Sequence, residues 1–231
     1  MTDSVITFAP GADLTTEAAD SGHTLQGKLV ATTKWSLGAF SLATGFPRAV
    51  AFYEQRLVFA GTDSQPQTLF FSQSGDFENF QSGTEADDAM VYTIGSNQVN
   101  VIRFLASTRN LILGTSGGEF VVRASGADEA ITPTNIQIKQ QTSHGSADIM
   151  PVQAGNAILF VQRAKRKMLE LQFNFDVDGY VAPDITLISE HITENGVNEL
   201  AYQQEPDSIL WTVRGDGQLA CMTYKREEQV I

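Results

Sequence analysis

The chain of 231 residues carries 27 acidic and 15 basic residues, a formal net charge of −12, and a single cysteine. That balance disfavours a surface that grips phosphates, which needs clustered Lys and Arg, and Cys221 alone excludes an internal disulfide. Charged residues make up only 18%, so the surface leans on Ser, Thr, Asn, Gln and Gly, a composition suited to strands and turns.

The N-terminus lacks the basic region and long apolar stretch of a signal peptide. No run approaches the ~18 apolar residues that span a bilayer, so no membrane insertion is expected. Residues 1–40 are rich in Thr, Ala, Gly and Asp with weak periodicity, and read as an N-terminal arm or the end of a preceding domain. Within them, residues 5–8 and 28–33 are short strand candidates. Trp35-Ser36-Leu37-Gly38-Ala39-Phe40 is expected to dock on the first repeat.

From residue 41 to 231 one layout recurs four times. The apolar triplets Leu57-Val58-Phe59, Leu111-Ile112-Leu113, Ile158-Leu159-Phe160 and Ile209-Leu210-Trp211 follow one another at spacings of 54, 47 and 51 residues. Another apolar run precedes each triplet, at residues 49–52, 101–104, 148–152 and 199–202, across a short polar bend. A third run follows, at residues 68–71, 120–122, 168–171 and 219–222. These runs are short, β-branched or aromatic, and bounded by Gly, Asn, Asp and Pro, so they read as strands. Fourth strands are expected at residues 90–94, 136–139 and 185–188. The last repeat has only Gln229-Val230-Ile231, so either residues 28–33 or 5–8 complete it, or the chain is part of a longer protein. Long connections at residues 81–89, 124–135 and 174–184 are expected to project from one face. No amphipathic helix of normal length is present.

A period of about fifty residues built of consecutive strands predicts an all-β fold. It is a β-propeller-like array of about four blades of antiparallel strand meanders, part of a larger propeller protein. The repeats fall at approximately 48–95, 98–141, 146–190 and 197–231. A β-sandwich or another all-β stack is the alternative, against which four tandem repeats argue.

Motifs that could carry chemistry resolve into turns. Gly114-Thr115-Ser116-Gly117-Gly118 matches a nucleophile elbow, but Glu119-Phe120-Val121-Val122 prefers a strand where that elbow needs a helix. Arg214-Gly215-Asp216 sits in a tight hairpin signal. Asp176-Val177-Asp178-Gly179 starts like a calcium loop, yet the last ligand position falls on Leu187 instead of Glu. Ser72-Gln73-Ser74-Gly75-Asp76-Phe77 faintly resembles a sialidase Asp-box with the Asp and Gly reversed. His23, His144 and His191 lack zinc spacing. Asp87-Asp88 and Glu227-Glu228 read as solvated pairs, and Arg163, Lys165, Arg166 and Lys167 as a solvated bend. Cys221 falls in a strand and is expected to be buried. No catalytic, cofactor-binding or metal residue is assigned.

Residues 44–80 carry a denser signal. The run Gly45-Phe46-Pro47-x-x-Val50-x-Phe52-x-Glu54-Gln55-Arg56-Leu57-x-Phe59-x-Gly61-Thr62, then Gln65-Pro66-x-Thr68-Leu69, Ser72 and Gly75-Asp76-Phe77-x-Asn79-Phe80, resembles the nozzle (tail tubular protein B) family of short-tailed bacteriophages. The lead-in at residues 35–40 is similar to that family as well, and family members are usually much longer. The resemblance implies a structural component of the virion tail, made in the bacterial host cytoplasm and not an enzyme. It implies a homo-oligomer, a hexameric ring beneath adaptor or gatekeeper proteins, with tail fibres attached and double-stranded DNA passing without specific contacts. An acidic lumen would let DNA slide.

The alternative is a carbohydrate-binding or receptor-binding β-propeller module, with Tyr53, Tyr92, Trp211 and Tyr224 as candidate platforms. A scaffold propeller of the WD or Kelch kind lacks its Gly-His and Trp-Asp dipeptides. Structural roles are expected for Arg56, which beside Glu54 locks the first hairpin, and for Pro47 and Gly61, which set turns. Gly75, Asp76 and Asn79 are expected to shape the exit loop of the first repeat.

Overall fold

The computed structural model describes residues 39–95, 99–126 and 129–225. Among them the chain is all-β, with strands and no helix, arranged as four antiparallel sheets of three or four strands. The first sheet is β1 (Ala49–Tyr53), β2 (Arg56–Ala60), β3 (Thr68–Phe71) and β4 (Met90–Thr93). The second is β5 (Ile102–Ser107), β6 (Leu111–Thr115), β7 (Gly118–Ala124) and β8 (Ile136–Thr142). The third is β9 (Val152–Ala154), β10 (Ala157–Val161), β11 (Met168–Asn174) and β12 (Gly179–Val181). The fourth holds β13 (Val197–Gln203), β14 (Ile209–Arg214) and β15 (Leu219–Thr223). In every sheet the strands lie in chain order, each paired with the next.

Alternation of side chains across each strand makes consecutive sheets pack face to face. Leu111 and Leu113 of β6 join Val58, Leu69 and Phe71 in a core between the first two sheets. Ile112, one residue between them, points the other way and meets Ile158, Phe160 and Leu169 of the third sheet. Leu159 and Val161 leave the far side of β10 to meet Leu200 and Leu210 of the fourth. A register shift between Ile102 and Phe104 switches the parity of β5, so Phe104 reaches the second interface while Ile102 and Leu105 stay in the first. Gly114 lies opposite Phe104, and a Cβ there would fall inside that ring. The described sheets form a stacked series and show no closed propeller.

All four apolar triplets lie in the second strands of their sheets, β2, β6, β10 and β14. The third runs fall in β3, β7, β11 and β15. Phe40 docks on the first sheet as expected, edge-on to Phe59 and Phe70 at centroid separations of 5.5 and 5.0 Å. Residues 5–8, 28–33, 35–38 and 229–231, with His23 and Glu227-Glu228, lie outside the described residues.

Four expectations need correction. The run at 148–152 is not the strand: β9 is Val152–Ala154, and Pro151, which has no N–H to donate, stands just before it. Residues 185–188 do not form the fourth strand of the third sheet. β12 pairs Gly179, Tyr180 and Val181 with Asn174, Phe173 and Gln172 across a short turn. Residues 185–188 form a turn instead, begun by Asp184 accepting from the Thr186 hydroxyl and amide, with Ile188 96% exposed. The supposed long connection at 174–184 therefore contains a hairpin. Cys221 is exposed, because it faces away from the Leu210 and Met222 core on the last described strand of its sheet.

The fourth correction concerns Arg56, which does not pair with Glu54. The residue is 2% exposed. Its guanidinium donates to the carbonyls of Ser72 (2.8 Å), Ala86 (2.7 Å), Asp88 (2.7 Å) and Asp87 (3.3 Å). Burial lowers its pKa, and the charges of Asp87, Glu54 and Asp88 oppose that shift. Arg56 therefore pins the β3–β4 connection to the base of β2. Gly61 makes the next turn at φ +69°, where a Cβ would stand 3.0 Å from the Ile102 carbonyl. The exit loop closes as expected: Asn79 donates to the Gln73 side chain at 2.7 Å, and the Gly75 amide donates to the Gln55 carbonyl at 2.9 Å.

Replacing Arg56 by Met leaves the carbonyls of Ser72, Ala86 and Asp88 without this donor, while that of Asp87 keeps the Ser74 amide. We expect a loss of about 3 kcal/mol, read as a fall in melting temperature of roughly 6–12 °C. An unchanged melting temperature would remove the clamp role.

Candidate functional site

The motifs that could have been catalytic are hairpin turns in the structure. Thr115 and Gly118 pair across Ser116-Gly117, and the Thr115 hydroxyl donates to the Gly118 carbonyl at 2.6 Å. Arg214 pairs with Asp216 at 2.7 Å inside the β14–β15 turn, which closes the tripeptide on itself. Asp178 takes φ +46° in the β11–β12 turn. Of the basic bend, Arg163 donates to the Ser116 carbonyl at 3.1 Å, and Lys167 meets Asp184 at 2.9 Å and Glu190 at 3.3 Å. Those hydrogen bonds to Asp184 and Glu190 raise the Lys167 pKa. Among the described residues no group of His, Cys, Asp and Glu is placed to hold a metal.

A buried carboxylate without a sequence signal appears at Glu119, which is fully buried at the start of β7. It accepts from the Thr142 hydroxyl and, at 2.8 Å, from the Ser146 hydroxyl. The group ties β7 to the segment leading into the third sheet. With both oxygens engaged by hydroxyls and no nucleophile–base pair beside them, it is structural.

The four aromatic candidates do not converge. Tyr53 lies in the core of the first two sheets and Tyr224 in that of the last two, while Tyr92 is 38% exposed. Trp211 faces away from the fourth-sheet core and donates to Gln203 at 3.1 Å. Burial pushes the Tyr53 hydroxyl pKa up. Burial, with Tyr202 beside it, pushes Tyr224 up to about 12.

What the signature segment does build is the outward face of the first sheet. Val50, Phe52, Leu57, Phe59 and Phe70 alternate with the core-facing residues of β1 to β3. Phe59 stacks on Phe80 at 5.6 Å, and Phe52 meets Phe77 edge-on at 5.2 Å. Phe40 covers part of this face. The rest is open: Phe52 is 61% exposed, and Phe46, Val50, Phe77 and Val91 are exposed as well. Exposed apolar side chains of this size make the face a candidate contact surface.

Residues 48–224 match the family described as bacteriophage nozzle protein. The chain belongs to that family. Membership makes this nozzle-family chain a structural protein of the bacteriophage tail. No curated protein matches it. Among solved structures it is similar to a luciferin-regenerating enzyme at 9% identity, covering 78% of this chain and 73% of that one, with a TM-score of 0.30. Likeness at that level carries no argument about either fold or activity.

The raised pKa of Tyr224 has a pH consequence. Its ordinary value is 10.0 and the folded value is about 12. The unfolded chain therefore loses this proton first, so stability is full below pH 10 and falls as pH rises toward 12. Tyr224→Phe should flatten that alkaline decline in melting temperature, and an identical slope in the variant would refute the assignment.

Proposed function

We propose that this chain is a subunit of a tail nozzle: a structural protein that self-associates into a ring through which the genome passes. The observation that carries the reading is the nozzle-family match across residues 48–224. The open aromatic face of the first sheet supports self-association, because monomers rarely leave so many large apolar side chains in contact with water. A net charge of −12 supports unhindered DNA passage, since a duplex is repelled rather than retained.

In this reading residues 41–231 form a β-propeller-like domain with repeats at about 48–95, 98–141, 146–190 and 197–231, and residues 1–40 form an arm or the end of a preceding domain. The stacking of consecutive antiparallel meanders of three or four strands supports a propeller-like arrangement. Adaptor or gatekeeper proteins and tail fibres would be the partners, in the virion tail, with synthesis in the host cytoplasm.

The test is mass in solution by light scattering, with negative-stain imaging of the same sample. Rings of about six subunits are expected. Phe52→Asp should lower the assembled mass while leaving the melting temperature within about 2 °C, because Phe52 lies outside the core. A monomer at every concentration would refute self-association by this chain.

A further inference from the structure

The interior boundaries of the stack share one construction. In the second strand of each sheet, one apolar residue points onward to the next sheet and its two neighbours point back to the previous one. Val58, Ile112 and Leu159 point onward, and all three are fully buried. Leu111 and Leu113 of β6, Ile158 and Phe160 of β10, and Leu210 of β14 point back and are buried as well. Thr212 also points back, with its hydroxyl on the Met168 sulfur at 3.6 Å.

Two sets of positions in this pattern face outward from the described stack. Leu57 and Phe59 hold the back-pointing positions in the first sheet, and Trp211 holds the onward position in the fourth. All three are only half-buried. The pattern extends across each sheet. Leu57 pairs with Phe52, and Phe59 with Val50 and Phe70. Trp211 pairs with Ala201, and Val213 on the same face pairs with Leu219, which is 63% exposed. The outward face of β1 to β3 carries no charged side chain, and that of β13 to β15 carries only Glu199. Two faces so poor in charge can meet without the cost of desolvating ions.

We propose that the outward face of the fourth sheet of one copy docks on the outward face of the first sheet of a second copy. Trp211 then enters beside Leu57 and Phe52, the part of the aromatic face that Phe40 leaves open. The inference rests on the reading of the chain as a self-associating subunit, and it names the surface that the aromatic face meets. A second copy is the occupant because it repeats a boundary the molecule already uses three times: a back-pointing face laid on an onward-pointing one. The interior packing also sets the alignment. First strands lie against each other where β1 meets β5 and β9 meets β13, so β13 of one copy lies against β1 of the next. The contact joins two different patches and is heterologous. It therefore propagates and can close into a ring, whereas a patch that meets itself stops at a dimer.

The test uses the full chain with Cys221 replaced by Ser, which removes the only native thiol. V50C and A201C, both at exposed positions on the two faces, are made singly and together and treated with a short bismaleimide. Each single variant should run as one chain on a denaturing gel, and the double variant as a ladder of three or more. As a second readout, Leu219→Glu should lower the assembled mass about twofold or more, with the melting temperature within about 2 °C of the parent. Covalent dimers from V50C alone would mean that first sheets meet each other, and would overturn the proposal. So would assembled protein that gives no ladder, or whose mass ignores Leu219→Glu, although self-association itself would stand. A monomer at every concentration would overturn both.

Discussion

Burial on both faces of a single strand governs this molecule. β6 and β10 have no solvent side: all five residues of each are buried, and alternate side chains belong to different cores. Neither strand can be satisfied by its own sheet, because a four-stranded meander covers its edges and leaves both faces bare. The second sheet needs the first and the third, and the third needs the second and the fourth. Apolar burial at about 25 cal/mol per Å² is thus shared between neighbours rather than owned by a repeat.

Polar contacts fix where the stacked sheets stand relative to one another. The hairpin between β1 and β2 turns through Glu54 and Gln55, both at positive φ, 45° and 60°. That conformation disfavours residues with a Cβ, usually by about 1–2 kcal/mol each. Three contacts offset it. The Glu54 carboxylate accepts from the Ile131 amide of the second sheet's long connection at 2.6 Å. The Gln55 carbonyl accepts from Gly75, and Arg56 holds the backbone at residues 86–88. Three consecutive residues thereby secure loops separated from them by about 20 to 75 positions in the chain.

Much of this fold was readable from residues alone, for a physical reason. A strand buried on two faces must be apolar at every position, so Leu111-Ile112-Leu113 and Ile158-Leu159-Phe160 stand out without any periodicity. β12 was missed because Gly179-Tyr180-Val181 is short and its support comes from a turn four residues long, whereas the more apolar Ile185-Thr186-Leu187-Ile188 is exposed. Apolar character reported burial well where both faces are covered and poorly at the rim, where Cys221 and Ile188 meet solvent. The signature segment was legible as a family mark, but its use was not. Nothing local says that Arg56 reaches carbonyls some thirty residues away instead of the neighbouring Glu54, or that Glu119 would be enclosed by two hydroxyls.

The outward faces of the first and fourth sheets have a bearing on how such a chain can change over generations. Each of the three interior boundaries consists of alternate residues from two adjacent meanders, and none involves a distant repeat. A duplicated meander inserted between neighbours would find an apolar surface already waiting on either side. Lengthening or shortening the array by one unit therefore disturbs only the two contacts at the point of insertion. The packing of every other unit stays as it was.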